Sequence, residues 1–367
     1  MRYLTSFLLF LMLVNCKNQE NEKHLEPEFI KAEIISTKID SLKSEKEVQA
    51  FVNQLKHPFY EQKISEDSIR IYRKFEEFEL KRINDFKRDC RFDEDTLTKK
   101  LADSLNINRS FYKSDFDNNG FTDLLIIGDR HNCMAMAGCE KGNSISCDFS
   151  IYSLMNYEND SIKPIDLNPI TMTLSSVPRI IETEKGSFIE LHKPVDYKIN
   201  GEGKQLFSNK IIPLVYKYGT FIERNDKRKN HTIDSIEYIA HGCNVGCPEF
   251  IISIDKEKNG KFNAQNYNWF DKNYSYNLEP NDVDGKYKTK ISDNHFEEIY
   301  GIVSYLDIPN LDNLYYSGAM HSSTATLKIT YDNGNVKSIK DNGLIGTYGL
   351  KRIHEMFYQL RFNQDWK

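Results

Sequence analysis

The run Asp115-Phe116-Asp117-Asn118-Asn119-Gly120-Phe121-Thr122-Asp123 sets oxygen side chains at its first, third, fifth and ninth positions. The carboxylates of Asp115, Asp117 and Asp123, the amide oxygen of Asn119 and the main-chain carbonyl of Phe121 can then converge. Gly120 permits the sharp turn this needs. An oxygen-rich, flexible shell of this kind suits a hard cation such as calcium. Carboxylates so close repel one another if left unneutralised. Without an ion, the same residues make a solvated Asx-rich turn, which Asn-Asn-Gly can form unaided. An EF-hand would place Glu twelfth in the loop, where this chain has Ile126.

The second group able to do chemistry is sulfur. Cys243 and Cys247 lie in His241-Gly242-Cys243-Asn244-Val245-Gly246-Cys247-Pro248, between two short apolar runs. A disulfide can close if the loop bends at its glycines. Pro248 then opens the next strand from its first residue. So short a loop contributes about 2 kcal/mol in the chain-entropy model. A zinc site using His241 and both sulfurs would have poor finger spacing. A redox pair would more usually be C-x-x-C. Of the remaining cysteines, Cys133, Cys139 and Cys147 share one small-residue loop and Cys90 stands apart. In an oxidising compartment these four would form two disulfides, one inside residues 133–147 and one to Cys90.

Catalytic motifs are scarce. The chain has no nucleophile elbow and no P-loop. His354-Glu355 lacks the second histidine of a zinc protease, and His354 falls on an apolar helical stripe, as a packed core histidine would. His321-Ser322-Ser323 has no base or nucleophile beside it in sequence. These observations favour a binding or envelope-assembly module without catalysis. The alternative is a hydrolase of an envelope polymer, with carboxylates assembled in a cleft.

The elements that must position these residues fall into blocks. The chain has 367 residues, 39% hydrophobic and 28% charged, with 22 Phe and 21 Tyr, a composition for packed β-rich cores. Its net charge of -5 argues against a nucleic-acid partner. Residues 1–15 read as a signal peptide: Arg2, then an apolar run from Leu4 to Val14 too short to span a bilayer. Residues 16–43 read as a polar tether. Residues 44–107 read as helical. Val48, Phe51, Val52 and Leu55 recur at helical spacing, as do Ile71, Phe75, Phe78 and Arg82 within Asp67–Lys87, and Leu97, Leu101 and Leu105 after Asp93.

Residues 108–225 read as a β-rich domain containing the acidic loop. Its strands are expected at Phe121–Gly128, Phe149–Met155, Arg179–Thr183, Phe188–Leu191, Leu214–Lys217 and Thr220–Glu223, with turns at Lys185-Gly186 and Tyr218-Gly219. Residues 232–367 read as strands Ser235–Ala240, Phe250–Ile254, Lys261–Tyr267 and Tyr287–Ile291, a helix capped near Ser292, a hairpin about Asn333-Gly334, and a closing helix through Leu350 and Leu360. The fold class is therefore α+β: a helical N-terminal segment, a β-rich middle domain, and a C-terminal antiparallel sheet with two helices on one face.

Three resemblances add to this reading. Leu13-Val14-Asn15-Cys16, followed at once by polar residues, resembles a bacterial lipoprotein signal, although Asn15 stands where a small residue is usual. The resemblance implies lipidation of Cys16, a membrane partner through that lipid, and a place in the cell envelope, periplasmic or surface-exposed. Gly242, Cys243, Cys247 and Pro248, with Phe250–Ile254 and the turn at Gly260, resemble a family of bacterial extracytoplasmic domains of unknown function. That likeness covers 232–367 only and implies a fold and a compartment but no chemistry. Asp115–Asp123, with the apolar run to Gly128, is similar to the calcium loop of FG-GAP and integrin-type propeller repeats. The motif occurs once, so the likeness implies only a local calcium loop at Asp115, Asp117, Asn119, Phe121 and Asp123. The expected partner beyond the membrane is an envelope protein or glycan.

Overall fold

A strand without polar alternation must be covered on both faces, and Leu124-Leu125-Ile126-Ile127 is such a run. The computed structural model describes residues 32–63, 70–74, 78–86, 93–129, 134–136, 144–146, 149–167, 176–199, 205–229, 231–243, 247–268, 284–316 and 322–367. Residues 32–367 cluster as one unit. The described chain opens with helices α1 (Lys38–Ser41) and α2 (Glu45–Val52) and a hairpin of β1 (Lys56–Lys63) with β2 (Arg70–Lys74). After β3 (Glu79–Leu80) come a short 3-10 turn, Ile83–Asp85, and helix α3 (Asp93–Ser104). Strands β4 (Phe111–Ser114) and β5 (Asp123–Asp129) flank the acidic loop as an antiparallel pair, Ser114 opposite Asp123. Beyond a two-stranded ribbon of β6 (Met134–Met136) and β7 (Ser144–Ser146), β8 (Phe149–Tyr157) and β9 (Ser161–Asp166) extend the sheet. Its order is β3-β5-β8-β9, with β4 also on β5.

A second sheet is a four-stranded meander of β10 (Val177–Thr183), β11 (Gly186–Ile199), β12 (Gln205–Lys217) and β13 (Thr220–Glu223). Leu125 and Ile127 of β5 join Ile189, Leu191, Leu214 and Phe221 in a core between the two sheets. Leu124 and Ile126 point the other way, into a core with Ile39, Val48, Phe51 and Val52 of the first two helices. Helix, sheet and sheet thus form three layers, which is why β5 is apolar throughout.

The expectation of a helix across Asp67–Lys87 is overturned. Residues 70–74 and 79–80 are strands, and Ile83–Asp85 is a 3-10 turn. Among the described residues of this stretch, the buried apolar side chains divide between two cores rather than sharing one helical face. Phe78 enters the helix-covered core and meets Tyr152 edge-on, with ring centroids 5.7 Å apart. Ile83 and Phe86 enter the core between the sheets. The Gln49 side chain fixes the turn, donating to the Phe78 carbonyl and accepting from the Leu80 N–H, both at 2.7 Å. Tertiary contacts override local propensity here.

The last sheet has seven strands in the order β17-β16-β15-β14-β19-β20-β18. They are β14 (Ile233–Cys243), β15 (Cys247–Asp255), β16 (Asn259–Asn266), β17 (Gly285–Lys290), β18 (Leu314–Tyr316), β19 (Thr324–Tyr331) and β20 (Asn335–Asn342). The pairing is antiparallel except for β18 on β20, so the expected antiparallel sheet carries one parallel edge pair. Helices α4 (Asp293–Tyr305) and α5 (Tyr348–Asn363) add Ile299, Ile302, Val303, Leu350, Ile353 and Phe357 to the core formed with Ile236, Tyr238, Phe250 and Ile252. The fold is α+β and mostly β. Asn333 and Gly334 both have positive φ, as the tight β19–β20 turn requires.

Candidate metal centre

The loop between β4 and β5 folds around its own carboxylates. Asp115 accepts from the N–H groups of Asn119 (3.1 Å) and Gly120 (2.9 Å). Gly120 has φ +85, and a side chain there would strike the Glu33 carbonyl. Asp123 turns both oxygens inward, accepting from Phe116 N–H at 2.8 Å and Asn156 N–H at 2.7 Å. The result places one carboxylate oxygen each from Asp115, Asp117 and Asp123 within 4.8 Å of one another. Asp123 is fully buried and Asp115 is 8% exposed.

Burial is the main reason Asp123 and Asp117 resist ionisation. It pushes Asp123 up to about 8, with the Asp117 and Asp115 charges adding to the rise against two N–H bonds that oppose it. Asp117 is pushed up to about 6, first by burial and then by the neighbouring Asp115 charge. Two unit charges about 4 Å apart repel by roughly 4 kcal/mol at an effective dielectric near 20. The tyrosine pair Tyr157 and Tyr216, hydroxyls 2.6 Å apart, adds no positive charge. Burial raises both of their pKa values. Among the described residues the carboxylate oxygens accept only from N–H groups, with no cationic side chain bonded to them, and a divalent cation is the counterpart such a site fits.

One more acceptor belongs to this network. The Asn156 side chain, 1% exposed, donates through Nδ2 to the Thr122 carbonyl and to Thr37 Oγ1, both at 3.1 Å. Its Oδ1 is buried with no donor. A buried acceptor left without a donor costs about 1–3 kcal/mol. Asn156 carries no sequence signal for this role, since it closes a strand thirty-three residues after Asp123.

The structure brings together Asp115, Asp117 and Asp123 out of the five expected ligands. Asn119 supports them: its Nδ2 donates to Asp117 (3.1 Å) and to the Asn156 carbonyl (2.9 Å), while its Oδ1 accepts from Phe121 N–H at 2.7 Å. Phe121 is engaged in a parallel bridge to Ile35.

At the far end of the chain, Cys243 and Cys247 are joined, with S–S 1.96 Å and Cα–Cα 5.0 Å, and they pair across the end of the β14–β15 hairpin. His241 Nε2 instead meets Thr326 Oγ1 at 2.8 Å, so it is no third ligand to these sulfurs. Ser323 Oγ donates to Cys247 Sγ at 3.2 Å. His354 is a buried core residue, 3% exposed, held between Tyr238 Oη (3.0 Å) and Asp341 Oδ2 (2.9 Å). Cys16, Cys90, Cys133, Cys139, Cys147 and His321 lie outside the described residues.

A family model described as a domain of unknown function, DUF6438, matches residues 234–361, from β14 into the last turns of α5. No curated protein matches the chain. No solved structure matches it either.

Proposed function

We propose that this chain is an exported, lipid-anchored module of the cell envelope that binds or assembles rather than catalyses, with a calcium ion bracing its central sheet. The observation that carries this reading is the convergence of Asp115, Asp117 and the fully buried Asp123 at the junction of β4 and β5. A cytosolic protein meets little free calcium, whereas an exported one meets enough to fill a site of modest affinity. The Cys243–Cys247 bond supports the same compartment, because such bonds persist where the medium is oxidising. Cys16 is the proposed lipidation site and residues 1–15 the removed signal. The partner is an envelope protein or glycan.

Fractionation of a producing bacterium tests the reading. We expect the chain in the membrane fraction with an acylated Cys16, released by Cys16→Ser, and with Cys243 and Cys247 resistant to thiol alkylation until reduced. Recovery of an unacylated chain from the cytosol with both thiols reactive would overturn it.

A further inference from the structure

The Cys243–Cys247 bond closes a loop so short that it adds little as a brace. It lies beyond a hairpin already paired from Ser235 opposite Asp255 to His241 opposite Glu249, and anchored by the buried Tyr238, Ala240, Phe250 and Ile252. The domain can therefore stay folded with the two sulfurs apart. Both cysteines are partly exposed. Their surroundings differ. Cys247 Sγ accepts from Ser323 Oγ at 3.2 Å, whereas Cys243 Sγ has no hydrogen-bond donor among the described residues. Tyr358 stands behind Ser323. Burial pushes its hydroxyl up, against the Arg361 charge and the Ser323 side chain, which both favour the ionised form. Arg361 is itself only 6% exposed. Its guanidinium lies 5.0 Å from the ring centroid of Phe250 and 5.1 Å from that of Tyr358. It donates to the Tyr358 carbonyl at 3.0 Å and to Asn268 Oδ1 at 3.4 Å, and no carboxylate pairs with it among the described residues. A buried cation without a counter-ion favours negative charge formed nearby.

We propose that Cys243–Cys247 is an exchange centre for an external dithiol, with Cys243 the sulfur attacked and Cys247 the sulfur released. Neither the lipid nor the ion of the reading above is needed for this. One thiolate of the dithiol attacks Cys243 Sγ. A bond forms between those two sulfurs, the Cys243–Cys247 bond breaks, and its electron pair leaves on Cys247. The Ser323 O–H already points at that sulfur, and its hydrogen bond strengthens as the acceptor becomes charged. Arg361 stands behind, across Tyr358, with its charge unmatched. A leaving thiolate stabilised in this way departs faster. The second sulfur of the dithiol, deprotonated, then attacks the reagent sulfur held on Cys243 and releases Cys243 as a thiolate. The dithiol ends as a disulfide, oxidised by two electrons. Its two protons end on Cys243 and Cys247. Attack at Cys247 instead would release Cys243, which has no such donor, and this difference fixes the order of the two sulfurs.

Peptide mass spectrometry on the detergent-solubilised full chain tests this, since it separates these two sulfurs from the other cysteines. Brief treatment with the monothiol glutathione, quenched with a maleimide, should leave glutathione on Cys243 and the maleimide on Cys247, as fragment ions would place them. Dithiothreitol should reduce the bond in the folded chain, and circular dichroism should show the reduced chain still folded. Ser323→Ala should slow that reduction about tenfold, whereas Ser323→Thr, which keeps a hydroxyl, should slow it far less. A variant that failed to fold would expose the bond and be reduced faster, the opposite of the expected change. Glutathione on Cys247, or an unchanged rate in Ser323→Ala, would overturn the order of the sulfurs. A bond that resists millimolar dithiothreitol in the folded chain, or a chain that unfolds on reduction, would overturn the exchange centre itself. Each of these results leaves the fractionation test of the envelope reading as it was.

Discussion

Asp123 carries the largest electrostatic cost in the loop, because it is fully buried beside two other carboxylates. Its folded pKa of about 8 lies above the ordinary value of 3.8, and that of Asp117, at about 6, does too. In the calcium-free protein, folding therefore takes up protons between these values. The contribution of these two carboxyls to stability is fullest below about pH 4 and is lost as pH rises to about 8, because the unfolded chain ionises first. On the proposed calcium reading the ion replaces those protons, so its stabilising effect is expected to grow across the same interval. We expect the gain in Tm from calcium, over chelator, to be larger at pH 8 than at pH 5.5. Asp117→Asn should shrink that gain at both pH values, and scanning calorimetry measures it. A site occupied at one hundred times its Kd adds about 2.7 kcal/mol. The oxygen spacing that marked this loop was legible in sequence because local chain geometry brings Asp115 and Asp117 together. Asn156 and Thr37 were not, because only the fold brings them to the loop.

At the scale of elements, the strands of the second and third sheets were legible wherever a two-residue period met a turn, as at β13 and β19. The helix expected across residues 67–87 is not found: Phe78 enters one core while Ile83 and Phe86 enter another, and one sequence does not show which core each residue meets. β9 was missed because Pro164 and alternating charge mark an edge strand poorly. Two element-level contacts can be tested by substitution. Glu223, at the end of β13, accepts from the N–H groups of Tyr348 (2.6 Å) and Gly349 (2.9 Å), and so caps α5 with a negative charge. Glu223→Ala should cost about 0.5–2 kcal/mol in denaturant unfolding. Replacing Cys243 and Cys247 by serine should cost about 2 kcal/mol, since the bond closes a very short loop. An unchanged midpoint in the double variant would mean that the hairpin needs no bridge.

At the scale of the whole chain, the blocks read from sequence share packing. Ile222 of β13 lies in the C-terminal core while its neighbour Phe221 lies between the two middle sheets. Tyr348 donates to the Leu167 carbonyl at 2.6 Å, Arg352 Nε to the Tyr218 carbonyl at 3.0 Å, and Asn225 Nδ2 to the Tyr305 carbonyl at 2.8 Å. Residues 234–361 carry the family match, yet part of their apolar surface is covered by β12 and β13. A fragment of residues 232–367 should therefore melt below the intact chain and bind a hydrophobic dye, as differential scanning fluorimetry would show. Ile35 N–H on the Gly120 carbonyl ties the residues before α1 to the acidic loop, and on the calcium reading proposed above the ion acts on the chain through that loop. Isothermal titration of calcium into the full solubilised chain is the most direct measurement of that claim. One saturable site, lost in Asp117→Asn, is the expected result. No saturable heat, or heat that survives the substitution, would contradict it.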